Sequence, residues 1–133
     1  MADTVTSQTI QDGQRVAVLK FTNESDGTGE SSVKKVDVSA LSSNNEGKAC
    51  TSVSIARIHW FCRGMGVDIE FDATTNVLAV TLAPDSSGDE YFDQFSGIPN
   101  NAGSGVTGDI DFTTIGHSSG DAYSVILVLN KNF

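Results

Sequence analysis

The chain has 133 residues, of which 38% are apolar, with 17 acids against 8 bases. This length predicts one domain that buries a sizeable core without staples, and the low charged fraction of 19% argues against disorder. Because the net charge is -9 and no basic cluster exceeds the Lys34-Lys35 pair, we expect no binding to nucleic acid or to an anionic membrane.

The charge is divided unevenly along the chain. Residues 1–63 contain seven acids and seven bases, whereas residues 64–133 contain ten acids and the single base Lys131. The first eleven residues lack a basic segment followed by an apolar run, and the longest aliphatic run has five residues. We therefore expect no signal peptide and no membrane span, and folding in a reducing cytoplasm.

Strand signals dominate the sequence from end to end. Each predicted strand is rich in β-branched or aromatic residues and is bounded by Gly, Asn, Asp or Ser. About eight strands are predicted, over residues 4–11, 14–22, 33–38, 51–61, 66–71, 77–82, 109–114 and 122–130.

The connections between these strands are mostly turns and loops. Asp12-Gly13 and residues 73–76 predict two tight hairpins. The apolar residues of 51–61 change phase midway, which predicts a β-bulge near Ala56-Arg57. Residues 89–95 place aromatic side chains on one side of a helical turn and predict a short helix, with an aromatic loop as the alternative.

Short strands, few helices and long polar loops predict an all-β fold, a two-sheet β-sandwich, with a jelly roll as one arrangement and an open barrel as the alternative. We assign residues 12–133 to a single sandwich domain and residues 1–11 to an N-terminal arm or a first strand. The strand over 122–130 is apolar on both faces, which predicts a central position or an oligomeric interface. The expected core contains Val18, Val53, Ile58, Trp60, Ile69, Leu78, Val80, Phe112, Val125 and Leu127.

Patterns that suggest chemistry are few. His117, Ser118 and Asp121 lie in sequence order like a triad, but neighbouring residues of one turn do not provide triad geometry. Residues 103–108 match GxGxxG, yet a strand pattern follows where a nucleotide site needs a helix. His59 is expected to be a structural residue of its strand. We therefore predict no catalytic residues, no enzyme activity and no cofactor.

Metal and disulfide sites are also not expected. Asp68, Glu70 and Asp72 alternate along one strand, where a solvated face is the favoured interpretation and a hard-cation site with Asp109 or Asp111 is the alternative. Cys50 and Cys62 lie twelve residues apart in one strand segment, so we expect two buried, unbridged thiols. No metal is expected to be needed for folding.

Both ends of the chain resemble a known class of proteins. The opening MADTVTSQTIQDGQRVAVLKFTN and the closing GDIDFTTIGHSSGDAYSVILVLNKNF are similar to small virion structural proteins of tailed bacteriophages. That class includes head decoration, or cement, proteins, which are often β-rich, fold in the host cytoplasm and clamp neighbouring capsid subunits from outside. The resemblance implies no catalytic or ligand residues.

The resemblance therefore implies a non-enzymatic capsid decoration protein on the virion surface. Its partners would be the major capsid protein and further copies of itself, with a trimer as the expected homo-oligomer. The balanced first half suggests that the capsid contact includes Arg15, Lys20, Lys34 and Lys35, together with residues 1–11. Another virion component (tail, neck or fibre) and a carbohydrate-binding β-sandwich, in which Trp60 or Tyr91 would stack on a sugar, are the alternatives.

Overall fold

The computed structural model describes residues 3–92, 97–100 and 104–133. In these residues it contains nine strands and a single 3-10 turn, Val38–Ala40. The strands are β1 (Thr4–Asp12), β2 (Val16–Glu24), β3 (Val33–Val36), β4 (Ser52–Arg63), β5 (Gly66–Phe71), β6 (Val77–Leu82), β7 (Ser87–Tyr91), β8 (Ile110–Ile115) and β9 (Ala122–Asn132).

The strands form two antiparallel sheets. The five-stranded sheet has the order β1-β2-β9-β4-β7, and the four-stranded sheet has the order β3-β8-β5-β6. The predicted all-β, two-sheet sandwich is confirmed. The hairpins at Asp12-Gly13 and at residues 73–76 connect β1 to β2 and β5 to β6, as predicted. The predicted bulge is present, since the β4–β9 register shifts between Ile55 and Arg57.

The helix predicted over residues 89–95 is wrong where the structure describes it. Residues up to Tyr91 belong to β7, which pairs antiparallel with β4 from Arg57 to Phe61. A seven-residue helix is marginal by itself, whereas pairing with β4 satisfies backbone groups that would otherwise form an open sheet edge. Residues 93–95 of the predicted helix lie outside the described residues.

The core lies between the two sheets and is built from the inward parity of each strand. An aromatic cluster lies at its centre, where the ring of Phe112 makes edge contacts with Phe21 at 5.4 Å and with Tyr123 at 5.8 Å between centroids. The predicted core residues that are buried are Val53, Ile58, Ile69, Phe112, Val125 and Leu127.

Two of the predicted core residues are wrong, and two others are only partly buried. Val18 lies on the outer parity of β2, because Ala17 and Leu19 take the inner positions. Leu78 is 55% exposed, since the β5–β6 register shifts after Ile69 and places Leu78 opposite Glu70 on the outer face. Trp60 and Val80 pack against the core from its rim.

Across the described ranges, no helix is long and apolar enough to cross a membrane.

Candidate functional site

The outer face of the five-stranded sheet consists of side chains in rows across four strands. The register places Phe61 opposite Ser124, Ser124 opposite Thr22, and Thr22 opposite Thr6. The next row contains His59, Ile126, Lys20 and Gln8. The row after that contains Arg57, Val128 and Val18. Because directly opposite side chains in a sheet lie about 5 Å apart, these rows form one continuous surface.

Apolar side chains lie in the middle of this face. On β9, Leu127 points inward and is fully buried, whereas Ile126 and Val128 on either side of it are half-buried on the outer face. Phe61 is 56% exposed and Tyr91, on β7, is 48% exposed. β9 lies between β2 and β4. Of the two alternatives predicted from its two apolar faces, the structure shows the central position in the sheet, and Ile126 and Val128 lie at the centre of the outer face.

Charged side chains complete the face, with three bases against two acids. The bases are Lys20, Arg57 and Arg63, and the acids are Glu24 and Asp89, on the same outward parity of their strands. In a protein with a net charge of -9, this face is therefore neutral to slightly basic.

Local contacts hold several of these charges in place. The guanidinium of Arg57 lies over the ring of Tyr91, with 3.9 Å between Cζ and the ring centroid. His59 Nδ1 lies 3.3 Å from Asp89 Oδ1 across the β4–β7 pair. Arg57 stacks on an aromatic ring, and among the described residues it forms no ion pair with a carboxylate, so its charge is available to a partner.

The outer face of the four-stranded sheet is acidic. Asp68 and Glu70 point outward from β5, and Asp111 lies directly opposite Glu70 on β8. Neutral donors contact these carboxylates: Thr113 Oγ1 donates to Glu70 at 3.2 Å, and Asn76 Nδ2 donates to Oδ2 of Asp111 at 3.0 Å. The two outer faces of the sandwich therefore differ in sign as well as in apolar content.

Asp111 is the most enclosed of these carboxylates, with 3% of its surface exposed. Burial, a hydrogen bond with Asp72, and the charges of Asp72 and Glu70 raise the pKa of Asp111 to about 6, against the hydrogen bond from Asn76. Lys34 lies opposite Asp111 on β3, but its Nζ is 2.9 Å from Asp109 Oδ2. The charge of Asp111 is therefore not balanced by the nearest lysine.

Asp68, Glu70 and Asp72 are the carboxylates of the alternative cation site. Glu70 and Asp111 do come together across the sheet, but Asp68 lies two residue pairs further along, opposite Thr113. Asp72 accepts from Thr107 Oγ1 at 2.6 Å. Within the described part of the chain, no group of three or more His, Cys, Asp or Glu side chains is arranged to hold a metal ion.

The structure separates the four bases that the sequence suggested for a capsid contact. Lys20 lies on the outer face of the five-stranded sheet, and Arg15 lies in the turn that precedes β2. Lys34 and Lys35 are on β3 of the other sheet. Lys35 forms an ion pair with Glu30 in which both side chains are 5% exposed. The four bases do not form one patch.

His117, Ser118 and Asp121, whose order resembles a triad, lie in the connection between β8 and β9. His117 Nδ1 lies 3.1 Å from Thr114 Oγ1, and Ser118 Oγ donates to Asp121 at 3.1 Å. The described contacts therefore place the serine hydroxyl on the carboxylate, with the imidazole on Thr114. The segment ending at Gly108 is followed by β8, a strand, as the sequence predicted.

Both cysteines are free and buried, as predicted. Cys62 lies near the end of β4 with 2% of its surface exposed, and burial raises the pKa of its thiol to about 11. Burial also raises the pKa of Cys50. Both thiols are therefore protonated at neutral pH and poor nucleophiles.

A scan against models of known protein families found no match, and a search among curated proteins found none at the threshold used.

Most residues on the outer face of the five-stranded sheet were not predicted from the sequence to form a site. The signal was the predicted bulge itself, because a one-residue shift at Ala56 places Arg57, His59, Phe61 and Arg63 together on the outward parity. Tyr91 was expected only as a ring that could stack on a sugar, and its position beside Arg57 was not predicted because its segment was expected to be helical.

Proposed function

We propose that the chain is a non-enzymatic structural protein of a tailed-phage virion, of the head-decoration type, that binds the outside of the shell formed by the major capsid protein. In this proposal the outer face of the five-stranded sheet contacts the shell and the acidic outer face of the four-stranded sheet faces solvent. The observation that carries the proposal is that exposed aromatic rings, half-buried aliphatic side chains and three bases share one face of a strongly acidic protein.

The side-chain types on this face favour a protein partner. Aromatic and arginine side chains are enriched in the centres of protein interfaces, where they supply contact area and directional bonds. Phe61, Tyr91 and Arg57 are of these types, and Ile126 and Val128 lie in the rows between them and β2. The combined surface spans the width of the sheet, as an extended contact with a shell requires.

Electrostatics favour this face over the other. A chain with a net charge of -9 is repelled by an acidic shell, and the repulsion is weakest where the acids are fewest. Lys20, Arg57 and Arg63 give the five-stranded sheet such a face, whereas Asp68, Glu70 and Asp111 give the four-stranded sheet the opposite sign. The proposed capsid contact therefore differs from the set of bases expected from the sequence. Lys20 remains in it, and Lys35 is left out because its side chain is enclosed with Glu30.

The resemblance of both ends of the chain to small virion proteins supplies the identity of the partner. The N-terminal resemblance includes β1 and β2, and the C-terminal resemblance includes β8 and β9. Three of these four strands, β1, β2 and β9, lie side by side in the five-stranded sheet.

Binding to heads that lack the protein tests the proposal. Purified chain is mixed with such heads and the bound fraction is measured by co-sedimentation. We expect Lys20→Glu to weaken binding at least about tenfold and Lys48→Glu, an equal change of charge at an exposed loop residue, to weaken it by less than about twofold. Binding should also weaken as salt rises. Equal effects of the two variants, or no binding of the unmodified chain, would contradict the proposal.

The same experiment distinguishes a tail, neck or fibre component. Such a protein would be recovered with purified tails or whole virions and would not bind isolated heads.

A carbohydrate-binding module is the second candidate, because the row that contains Phe61 borders a shallow depression of about 400 Å³. Thr6, Thr22 and Ser124 line it beside Phe61 and Arg63, and the hydroxyls of Thr6 and Thr22 are hydrogen-bonded to each other. An aromatic ring with neighbouring hydroxyls suits a sugar. Glycan-array binding that is abolished by Phe61→Ala, with no binding to heads, would replace the capsid proposal with this one.

A further inference from the structure

The four edge strands of the two sheets are protected to different degrees. β7 contains Asp89 and Glu90, and β3 has only four residues, two of which are lysines. β6 has six residues and an irregular register with β5. The first residues of β6 line a depression together with Ile98 and Pro99. Charges, shortness and bulges each discourage a further strand from pairing with an edge.

β1 has the least protection of the four. It has nine residues, and residues 4–11 contain no charged side chain and no proline. Its side chains are exposed on both faces of the sheet from Thr4 to Gln11. Of the strands that the structure describes, only β2 pairs with it. β1 therefore presents a long row of backbone N–H and C=O groups along its free side, although a bulge at Ile10 interrupts the end of this row.

Carboxylates anchor β1 at both ends. At the start, Asp3 accepts hydrogen bonds from Asn23 Nδ2 at 3.1 Å and from the backbone N–H of Gly29 at 3.1 Å. At the other end, Asp12 forms an ion pair with the buried Lys131 and accepts from the backbone N–H of Ser42 at 2.9 Å. The strand is therefore held extended before any partner arrives, which lowers the conformational cost of pairing.

We propose that β1 pairs antiparallel with β1 of a second copy of this chain, across a two-fold axis, so that two five-stranded sheets become one continuous sheet. A second copy fits because residues 4–11 are uncharged, so this contact brings no like charges together between two chains that each have a net charge of -9. Wherever residues 4–11 of one copy pair antiparallel with residues 4–11 of the other, no charged side chain faces another. Opposed Thr, Val and Ile side chains are favourable pairs in a sheet.

This geometry specifies the symmetry of the assembly. Two identical strands that pair antiparallel form an isologous contact, which closes as a dimer. The edge therefore favours a two-fold dimer over the trimer expected from the sequence. The dimer would place the outer faces of two five-stranded sheets side by side, but the inference depends only on the edge strand and does not require that the chain bind a capsid.

The dimer is expected to be weak in dilute solution. A strand of nine residues is about 30 Å long, and a single strand pair buries less than the ~1,600 Å² of a standard stable interface. Copies that are held close together on a surface would pair more strongly, because their effective concentration is higher.

Sedimentation velocity of the full chain from about 10 μM to about 1 mM tests the inference. We expect a monomer–dimer equilibrium. Val5→Lys combined with Ile10→Lys should raise the dissociation constant at least about tenfold, because the paired edges would then contain four added lysines that repel one another and that discourage strand pairing. The control is Leu78→Lys on β6, where an equally exposed apolar side chain is replaced and no change is expected. Added lysines reduce the net negative charge, so a loss of dimer in the double variant would be a local effect.

A second measurement places the axis. Ser7 lies near the middle of β1, and we expect Ser7→Cys to form a disulfide-linked dimer under mild oxidation, whereas Thr81→Cys on β6 stays monomeric. The native cysteines are buried and do not interfere.

Several results would overturn the inference: a monomer at every concentration, a trimer, or a dimer that Leu78→Lys disrupts and the β1 variant does not. Because Val5 and Ile10 are 41% and 51% exposed, the double variant is expected to keep the melting temperature of the unmodified chain. Binding to heads is measured separately, so either proposal can fail without the other.

Discussion

The two outer faces of this sandwich differ in ways that a single net charge conceals. The outer face of the five-stranded sheet combines Lys20, Arg57 and Arg63 with Phe61, Ile126 and other apolar side chains. The outer face of the four-stranded sheet instead contains Asp68, Glu70 and Asp111 on neighbouring strands. A protein with a net charge of -9 can therefore offer one face to a partner that its overall charge would repel.

This difference arises from the topology. β1, β2 and β4 come from residues 1–63, where acids and bases balance, and all three join the five-stranded sheet. β5, β6 and β8 come from the acidic remainder and join the four-stranded sheet. The asymmetry between halves of the sequence thus becomes an asymmetry between faces.

Three strands depart from this division: β7 and β9 come from the acidic remainder but join the five-stranded sheet, and β3 brings Lys34 and Lys35 to the acidic sheet. Lys35 is enclosed with Glu30, whereas half of the Lys34 side chain is exposed beside Asp109. Lys35→Met would leave the buried carboxylate of Glu30 without its cation and should lower the free energy of unfolding by about 3–5 kcal/mol. Lys48→Met, at an exposed loop lysine, is the control and should change it little. Urea unfolding of both variants measures the difference, and similar effects of the two would contradict the assignment of Lys35 to the interior.

Adjacent residues of β9 test whether the outer face is surface or core. Leu127→Ala removes a fully buried side chain and should cost about 2–5 kcal/mol of unfolding free energy. Val128→Ala removes a half-buried side chain from the outer face and should cost less than about 1 kcal/mol. Thermal and urea unfolding compare them. A large loss of stability at Val128 would mean that the outer face is needed for folding and is less suited to a partner.

The acidic face should weaken the fold at neutral pH through Asp111. Its pKa is raised from 3.8 to about 6, so its contribution to stability is fully present below 3.8 and is lost as pH rises through about 6. Asp111→Asn keeps an acceptor for Asn76 and removes the charge. The variant should be more stable than the unmodified chain by on the order of 1–3 kcal/mol at about pH 8, with little or no advantage at about pH 3. Unfolding curves at both pH values decide this, and a variant less stable at the higher pH would contradict it.

Much of the fold was predictable from local patterns, and the failures have specific physical causes. Alternation along the strands, the turns at Asp12-Gly13 and residues 73–76, and the phase change near Ala56 are all local signals, and each appears in the structure. Leu78 failed because the bulge in the β5–β6 pair follows no phase change in the sequence. The helix over 89–95 failed because pairing of β7 with β4 is a long-range contact that local aromatic spacing does not reveal.

The candidate surface was less predictable than the fold. The apolar outer parity of β9 and the base Lys20 were visible in the sequence, but their assembly into rows with β4 depends on the order of the strands in the sheet. The same dependence separated Lys34 and Lys35 from Arg15 and Lys20, which the sequence had grouped by charge alone.

The most direct test of the central claim is a reconstruction of the virion head at side-chain resolution. We expect this chain on the outside of the shell, with Phe61, Arg57 and Lys20 against the major capsid protein and with Asp68 and Glu70 toward solvent. A head without the chain, or a chain whose acidic four-stranded face contacts the shell, would contradict it.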